Sequence, residues 1–547
     1  MRNTTSTSTS CVLLTVMLCA CGDDQGAGAE AGNEDPTTGG ESTGAEPTTG
    51  EPEPEPFVAF PARGGIKISK VEANPGVAVP IGKAGAEVSG AERNAFIPRE
   101  RDTLIRVYLD TPDDWVEREL EARLLLTVDG VDTTLTQKLL ISADSRESGL
   151  NSGFFFGVPK ELMRPGLRYQ VALWETDFGQ EDLPEPAEPA SLPFTGTAFV
   201  GVESGNAEMR VVLVPVDYSF GSCKKVVDGE AHKEAFEDGL FQQNAVKNVE
   251  FTIRAPYKVA FDMTSFNGLS KLVSEISQLR TADGADPNVY YYGLFDNCGT
   301  CIGDGGIGGG CTVGLAADIT GDGMSDGRFR AAVGQLNGGA AETFVHEIGH
   351  TQGRRHIACS GAGVQAQGTD PNYPYEGGRI GVWGFGVRDF ELRHPTVNSD
   401  YMSYCGQTWV SDWQWNATYK RILTLSGWGT ASVAPPVKKD GGVMIGAIDP
   451  SGQQVWWTGP GKLSEGRTLS ATHTVVFEFA DGEVEAPAQV SVREHYPTRN
   501  IVAELPEGFE GRELLGVRLR DEDGEHESVS GAAIRRLHVS DTLKSAH

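Results

Sequence analysis

Three of the chain's ten histidines fall within one string, HEIGHTQGRRH, from His346 to His356. The residues leading into it, AAETFVHEIGH, carry apolar side chains at helical spacing. His346 and His350 are then four positions apart on a helix, with both imidazoles on one face. That spacing lets two nitrogens reach one tetrahedral zinc at about 2.0–2.1 Å. Glu347 adjoins the first histidine and is placed to reach a metal-bound water rather than the metal. Gly353 can adopt the left-handed conformation that ends a helix, which lets the reversed chain bring His356 back as a third ligand. A water would complete the set, and such an open position distinguishes catalytic from structural zinc. A bare HExxH arises readily by chance; Gly353 and His356 make this pattern more specific. The plain alternative is a helix whose histidines are solvated or hydrogen-bonded in a core.

A second element, Asp400-Tyr401-Met402-Ser403-Tyr404-Cys405, follows the histidines in the chain. Together the two strings resemble the metzincin clan of metallopeptidases, which combines HExxHxxGxxH with a Met-containing tight turn below the zinc. The resemblance implies that Met402 is the turn methionine, its soft thioether under the three imidazoles. It implies that Tyr404 ligates zinc or hydrogen-bonds the tetrahedral intermediate, as the corresponding tyrosine does in astacin-like and serralysin-like members; a structural role is the alternative. HIAC after the third histidine, MSYC and WVSDWQW look like a group of bacterial exported metzincins, and this implies a Cys359–Cys405 bridge. The close match runs from about Tyr290 to about Leu425, under a third of the chain. The implied activity is that of a zinc-dependent endopeptidase acting on extracellular proteins or glycoproteins, with Glu347 as general base. A surface adhesion or glycan-binding protein with minor or lost protease activity is the competing reading, and a narrow maturation protease is a third.

A weaker motif is DITGDGMSDG. Asp318, Thr320, Asp322 and Asp326 stand at positions 1, 3, 5 and 9 of an EF-hand-like loop, with Gly323 at 6. Phe329 replaces the glutamate expected at 12, so Ca2+ competes with an acidic surface turn.

Residues 1–20 begin with Arg2 and contain the apolar run VLLTVMLCA, too short to span a bilayer and fit for a secretory signal. Leu18-Cys19-Ala20-Cys21 resembles a bacterial lipobox, with an unusual Cys19, and implies cleavage before an acylated Cys21. Plain secretion is the alternative. Residues 21–56, rich in Gly, Thr, Glu and Pro, have little to bury and suit an extended tether. The expected place is therefore the cell envelope or surface, with membrane contact through the lipid only. Once the segment before the lipid and Cys21 itself are set aside, Cys223, Cys298, Cys301, Cys311, Cys359 and Cys405 remain. An even six in an exported chain reads as three disulfides. The CxxC at Cys298 and Cys301 lies in a Gly-rich stretch without a second CxxC, which disfavours a thioredoxin-like or zinc role.

Residues 57–208 alternate apolar and polar side chains in short runs such as LIRVYLD and RYQVALWE, as a β-sandwich does; they could be a permanent module or an inhibitory prosegment. Residues 209–431 alternate strands and helices, an α/β pattern. The metzincin resemblance implies a twisted mixed sheet, an active-site helix and the Met-turn. CTVGLAADI from Cys311 stands where an edge strand is expected, able to pair with an extended peptide. Ser411 and Gln414 form a capping-box pattern for the following helix. Residues 432–547 return to short alternating runs, a second sandwich-like domain. The expected fold is multidomain, a metzincin-like α/β catalytic domain flanked by two mainly-β domains. With 46 Lys and Arg against 76 Asp and Glu, the formal charge is −30. That argues against a nucleic-acid partner, which needs a cationic surplus.

Overall fold

The computed structural model describes residues 57–303, 311–317, 324–359, 368–429, 442–448, 454–460, 469–493 and 496–536, with single positions 452 and 463. The signal segment, Cys21, the tether, Asp318, Thr320 and Asp322 lie outside the described residues. The chain is multidomain and mostly β, with four α-helices among the described residues.

Alternating side chains build the N-terminal region. Arg118–Val128 buries every second residue, and Arg168–Glu175 does the same, as strands with one face on a core must. The hairpin from Arg118–Val128 to Val131–Ile141 turns at Asp129 and Gly130, which have φ of 53° and 77°. Asp-Gly suits the turn type that demands two such conformations. These strands join Arg168–Glu175 and Ala198–Phe199 in one sheet, with Ser191–Leu192 beside Arg168–Glu175. A second sheet runs in the order Ala86–Glu87, Val79–Lys83, Lys67–Asn74, Thr103–Asp110, Phe154–Val158.

The middle region is built on one long strand, β1 (Glu208–Phe220), with β2 (Cys223–Val226) folded back on it. Helix α1 (Glu230–Gln243) follows, then β3 (Asn248–Ile253) and β4 (Tyr257–Val259), both parallel to β1. The sequence reads VEFTIRAPYKV as a single strand; the structure breaks it at residues 254–256. Pro256 has no N–H to give to a ladder and restricts Ala255, so the two pieces pair with different stretches of β1. Helix α1 ends at Gln243 because Asn244 turns extended and its N–H closes on Leu240 O. Helix α2 (Phe266–Ala282) is capped by Ser265, its Oγ accepting the Gly268 N–H. β5 (Val289–Phe295) lies parallel to β1, β7 (Ala331–Gln335) parallel to β5, and β6 (Gly314–Ala316) antiparallel to β7 at the end of the sheet. Helices α3 (Ala340–Thr351) and α4 (Asp412–Gly429) complete the region. Strand alternation sends Tyr290, Tyr292, Ala316 and Ala332 into one core with α1, α3 and α4, and Tyr291, Phe295, Leu315 and Val333 into another with α2.

The core that holds α1, α3 and α4 does not stop at the middle region. It runs without interruption from Ala62 through both N-terminal sheets to Leu425. Polar contacts follow the same path. Trp415 Nε1 donates to Phe96 O at 2.9 Å, Trp409 Nε1 to Gly76 O at 3.0 Å, and Asn94 Nδ2 to Asp412 Oδ2 at 2.9 Å. Arg101 is fully buried, with its guanidinium 4.1 Å from the Phe241 ring centroid. It donates to Pro75 O at 2.6 Å and to Asn244 O and Val246 O at 3.2 and 2.9 Å. These last are carbonyls beyond the end of α1, so one N-terminal side chain closes off the backbone of a helix in the next region.

The C-terminal strands, expected as a sandwich-like domain, join in one hydrogen-bonded sheet of nine strands, eight along a single path and Val529–Ser530 beside Leu514–Asp521. Gly482–Arg493 pairs with Thr474–Phe479 along its first half and with Tyr496–Glu504 along its second. A single long strand thus belongs to both halves, and their apolar side chains meet in one core around Phe477, Trp456 and Ile501.

Arg101→Met keeps the stem and removes the donors. It should lower unfolding stability by about 3 kcal/mol or more, since several buried carbonyls lose their partner at about 1–3 kcal/mol each. Urea unfolding of both proteins checks this; a loss below about 1 kcal/mol would contradict the bracing role.

Candidate metal centre

Helix α3 delivers the first two histidines and then stops sharply. Gly353 has φ 77°. The Gly353 N–H closes on His350 O at 2.9 Å and the Arg354 N–H on Gly349 O at 3.0 Å. This pair of bonds is the Schellman arrangement, which needs a left-handed residue at Gly353. The reversed chain returns His356 to the same point. Among the described residues, His346, His350 and His356 form the one group of three able to hold a metal ion.

The hydrogen bonds set the tautomers. His346 Nδ1 lies 2.8 Å from Tyr401 O and His350 Nδ1 lies 2.8 Å from Arg354 O. A carbonyl can only accept, so each Nδ1 carries the proton and each Nε2 presents a lone pair. His350 Nε2 is 3.1 Å from His346 Nε2 and 3.1 Å from His356 Nε2. Two ligands on a tetrahedral zinc with bonds of 2.0–2.1 Å stand about 3.3 Å apart, so the spacing suits one small cation. A shared proton is the other way to relieve facing lone pairs. Burial, with the nearby His356, pushes His346 down to about 3, which keeps that imidazole neutral near pH 7 and favours the cation.

Below the imidazoles lies the segment that starts at Asp400. Met402 is fully buried. A Cβ on Gly349 would stand 2.5 Å from Met402 Sδ and 2.9 Å from Tyr401 Cε2, so the thioether packs against α3 between the two helical histidines because residue 349 has no side chain. Ile357 N–H donates to Met402 O at 2.9 Å, and Ile357 bridges Ser403 in parallel fashion. Cys359 is bonded to Cys405 two residues further along each segment, with Cα atoms 5.9 Å apart. The loop carrying His356 is thereby fastened to the turn. Tyr404 is 44% exposed, and its hydroxyl lies 3.1 Å from His356 Nε2.

Glu347 is buried, and its carboxylate lies against β6: a Cβ on Gly314 would meet Glu347 Oε1 at 2.5 Å. Asp326 sits in the short helical turn Met324–Phe329; its proposed calcium partners Asp318, Thr320 and Asp322 lie outside the described residues. The two CxxC cysteines have different partners, Cys298 with Cys223 and Cys301 with Cys311, so the motif is neither a redox pair nor a zinc site.

Sequence reasoning did not assign a role to Asp400 or Gly349. Asp400 is fully buried and organises the turn: it accepts from Met402 N–H at 2.9 Å, and from Ser411 Oγ and Ser411 N–H at 2.5 and 3.1 Å. Ser411 Oγ in turn accepts the Gln414 N–H at 3.2 Å as the cap of α4. The signal available in sequence was an acidic residue two before the methionine and a Ser opening a helix; nothing local says that they meet.

No protein-family model matches the chain, and no curated protein matches it. Among solved structures, one described as "Structure of a chaperone-substrate complex" aligns over 50% of this chain at 12% identity with a TM-score of 0.21. The alignment spans 44% of that chain's length, and so low a score supports no reading of fold or function. Among the described residues no helix is long and apolar enough to cross a membrane.

Burial raises the Asp400 carboxyl from 3.8 to about 6, against the lowering effect of its hydrogen bonds from Ser411 and Met402. The folded chain then holds a proton that the unfolded chain releases. The stabilisation is present in full below about pH 4 and is lost as pH rises through about 6. Asp400→Asn cannot ionise. In urea unfolding of the chelator-treated proteins, the stability of wild type relative to Asp400→Asn should fall between about pH 4 and pH 7. A difference that does not change with pH would contradict this.

Proposed function

We propose that this chain is a zinc-dependent endopeptidase of the metzincin type, exported and held at the cell envelope through Cys21, with protein or glycoprotein substrates outside the cell. The observation that carries the reading is the close approach of the His350 Nε2 to the Nε2 atoms of His346 and His356, with the buried Glu347 next to His346 in α3. Three imidazole nitrogens, without thiolate, suit zinc with one position left for water or substrate.

Zinc bound by His346, His350 and His356 would supply Lewis acidity, lowering the pKa of an attacking water and polarising the scissile carbonyl. The remaining work falls to the chain. Glu347 takes the proton of the attacking water and returns it to the departing amine. The Tyr404 hydroxyl, beside His356 and partly open to solvent, donates to the oxyanion that forms at the attacked carbonyl. β6 ends the sheet next to Glu347. An extended peptide that adds to its edge is held with a peptide bond across the site. Met402 and the Cys359–Cys405 bond keep the three imidazoles from spreading. Ca2+ at Asp318, Thr320, Asp322 and Asp326 is a separate proposal for the loop that precedes β7.

Digestion of a broad peptide library by the zinc-loaded wild type and by Glu347→Gln, read by mass spectrometry with zinc content measured in both, tests the reading. Wild type should cleave. Glu347→Gln should retain zinc and lose about 100-fold or more of the rate, the scale of a general base. Zinc-loaded wild type that cleaves nothing would overturn the proposal and favour a binding or adhesion role.

A further inference from the structure

Tyr292 stands in the middle of β5, fully buried on the face that carries α3. Its ring meets Phe344 edge-on with centroids 4.7 Å apart, and Phe236 at 6.1 Å. Those contacts account for the ring but not for the hydroxyl, which continues into a gap in the sheet.

The gap comes from two glycines. Gly314 of β6 and Gly334 of β7 are direct partners across the antiparallel ladder. Strand alternation turns both toward α3, alongside the core residues Ala316 and Ala332,. A Cβ on Gly334 would lie 1.8 Å from the Tyr292 hydroxyl oxygen and 3.5 Å from Thr343 Cγ2. A Cβ on Gly314 would lie 2.5 Å from Glu347 Oε1 and 2.7 Å from the same Thr343 Cγ2. The paired glycines thus open one notch, filled from one side by a phenol and from the other by the Glu347 carboxylate.

The Tyr292 hydroxyl is buried and has no hydrogen-bond partner among the described residues. A buried hydroxyl without a partner is unfavourable, and the nearby charged acceptor is Glu347. Burial and the Glu347 charge together push the phenol's ionisation well above its ordinary value, so the group keeps its proton and acts as a donor.

We propose that Tyr292 is a positioning residue for Glu347, its O–H donating through the paired-glycine notch toward the carboxylate across one water. The inference rests on the reading of Glu347 as general base. A carboxylate on a helix side chain has several rotamers. A donor fixed in the central sheet selects the one that faces the histidines and leaves the other oxygen to accept the proton.

Tyr292→Phe removes only the hydroxyl. In zinc-loaded protein kcat should fall about tenfold or more, the scale of a charge-assisted hydrogen bond. KM, zinc content and the thermal midpoint should stay at wild-type values, because the phenyl keeps every ring contact. The second readout needs no turnover. In protein labelled with 13C at the tyrosine Cζ, in a Tyr404→Phe background that removes the neighbouring phenol, Glu347→Gln should shift the Tyr292 signal and leave that of Tyr257 in place. An active wild type with an unchanged kcat in Tyr292→Phe overturns the proposal alone. A wild type without peptidase activity overturns the general-base reading and the role with it. If Tyr292→Phe does not fold, the labelled comparison decides: a Tyr292 signal that ignores Glu347→Gln rules the contact out.

Discussion

Two backbone carbonyls govern the histidine cluster. Tyr401 O and Arg354 O each accept from a histidine Nδ1 at 2.8 Å, and that choice leaves Nε2 of His346 and His350 as lone pairs in a buried place. Arg354 O is available because the helix ends in a Schellman motif at Gly353. Tyr401 O is available because Asp400 gathers the Met402 and Ser411 N–H groups and forces the chain into the turn. The imidazoles cannot rotate to relieve their mutual approach without giving up one of these bonds. The site is thus preorganised as a set of donors to one positive centre.

The turn itself rests on something larger. Behind it stand Trp409, Asp412 and Trp415, and each is tied to a loop of the N-terminal region, at Gly76, Asn94 and Phe96. The apolar core crosses the same boundary without a break. Residues 57–208 therefore act as a wall of the middle region. Taking them away would expose buried side chains of α1 and α4 and leave the Arg101 carbonyl partners unsatisfied.

The histidines, Glu347 and Gly353 are legible in the sequence because their geometry is local: one helix turn and one reversal fix it. Strand alternation was legible for the same reason in RYQVALWE, which buries every second residue, whereas LIRVYLD forms a strand that is buried on both faces as far as Leu109. What could not be read are the meetings between distant segments. Gly349 is an unspecified position inside HExxH until Met402 is brought against it. Gly314 and Gly334 read as ordinary loop or strand glycines, and only the ladder between β6 and β7 makes them a pair. The same limit hid the break at Pro256, where one long strand pairs with two pieces along different stretches, and the C-terminal sheet, where a single strand serves both halves.

The central claim is that these three histidines hold zinc through nitrogen alone. Metal analysis of the folded full chain combined with zinc X-ray absorption tests it most directly. One zinc per chain is expected, with three imidazole nitrogens at about 2.0–2.1 Å, one oxygen donor and no sulfur. Correctly folded protein that takes up no zinc, or zinc found on sulfur or carboxylate ligands instead, would contradict it.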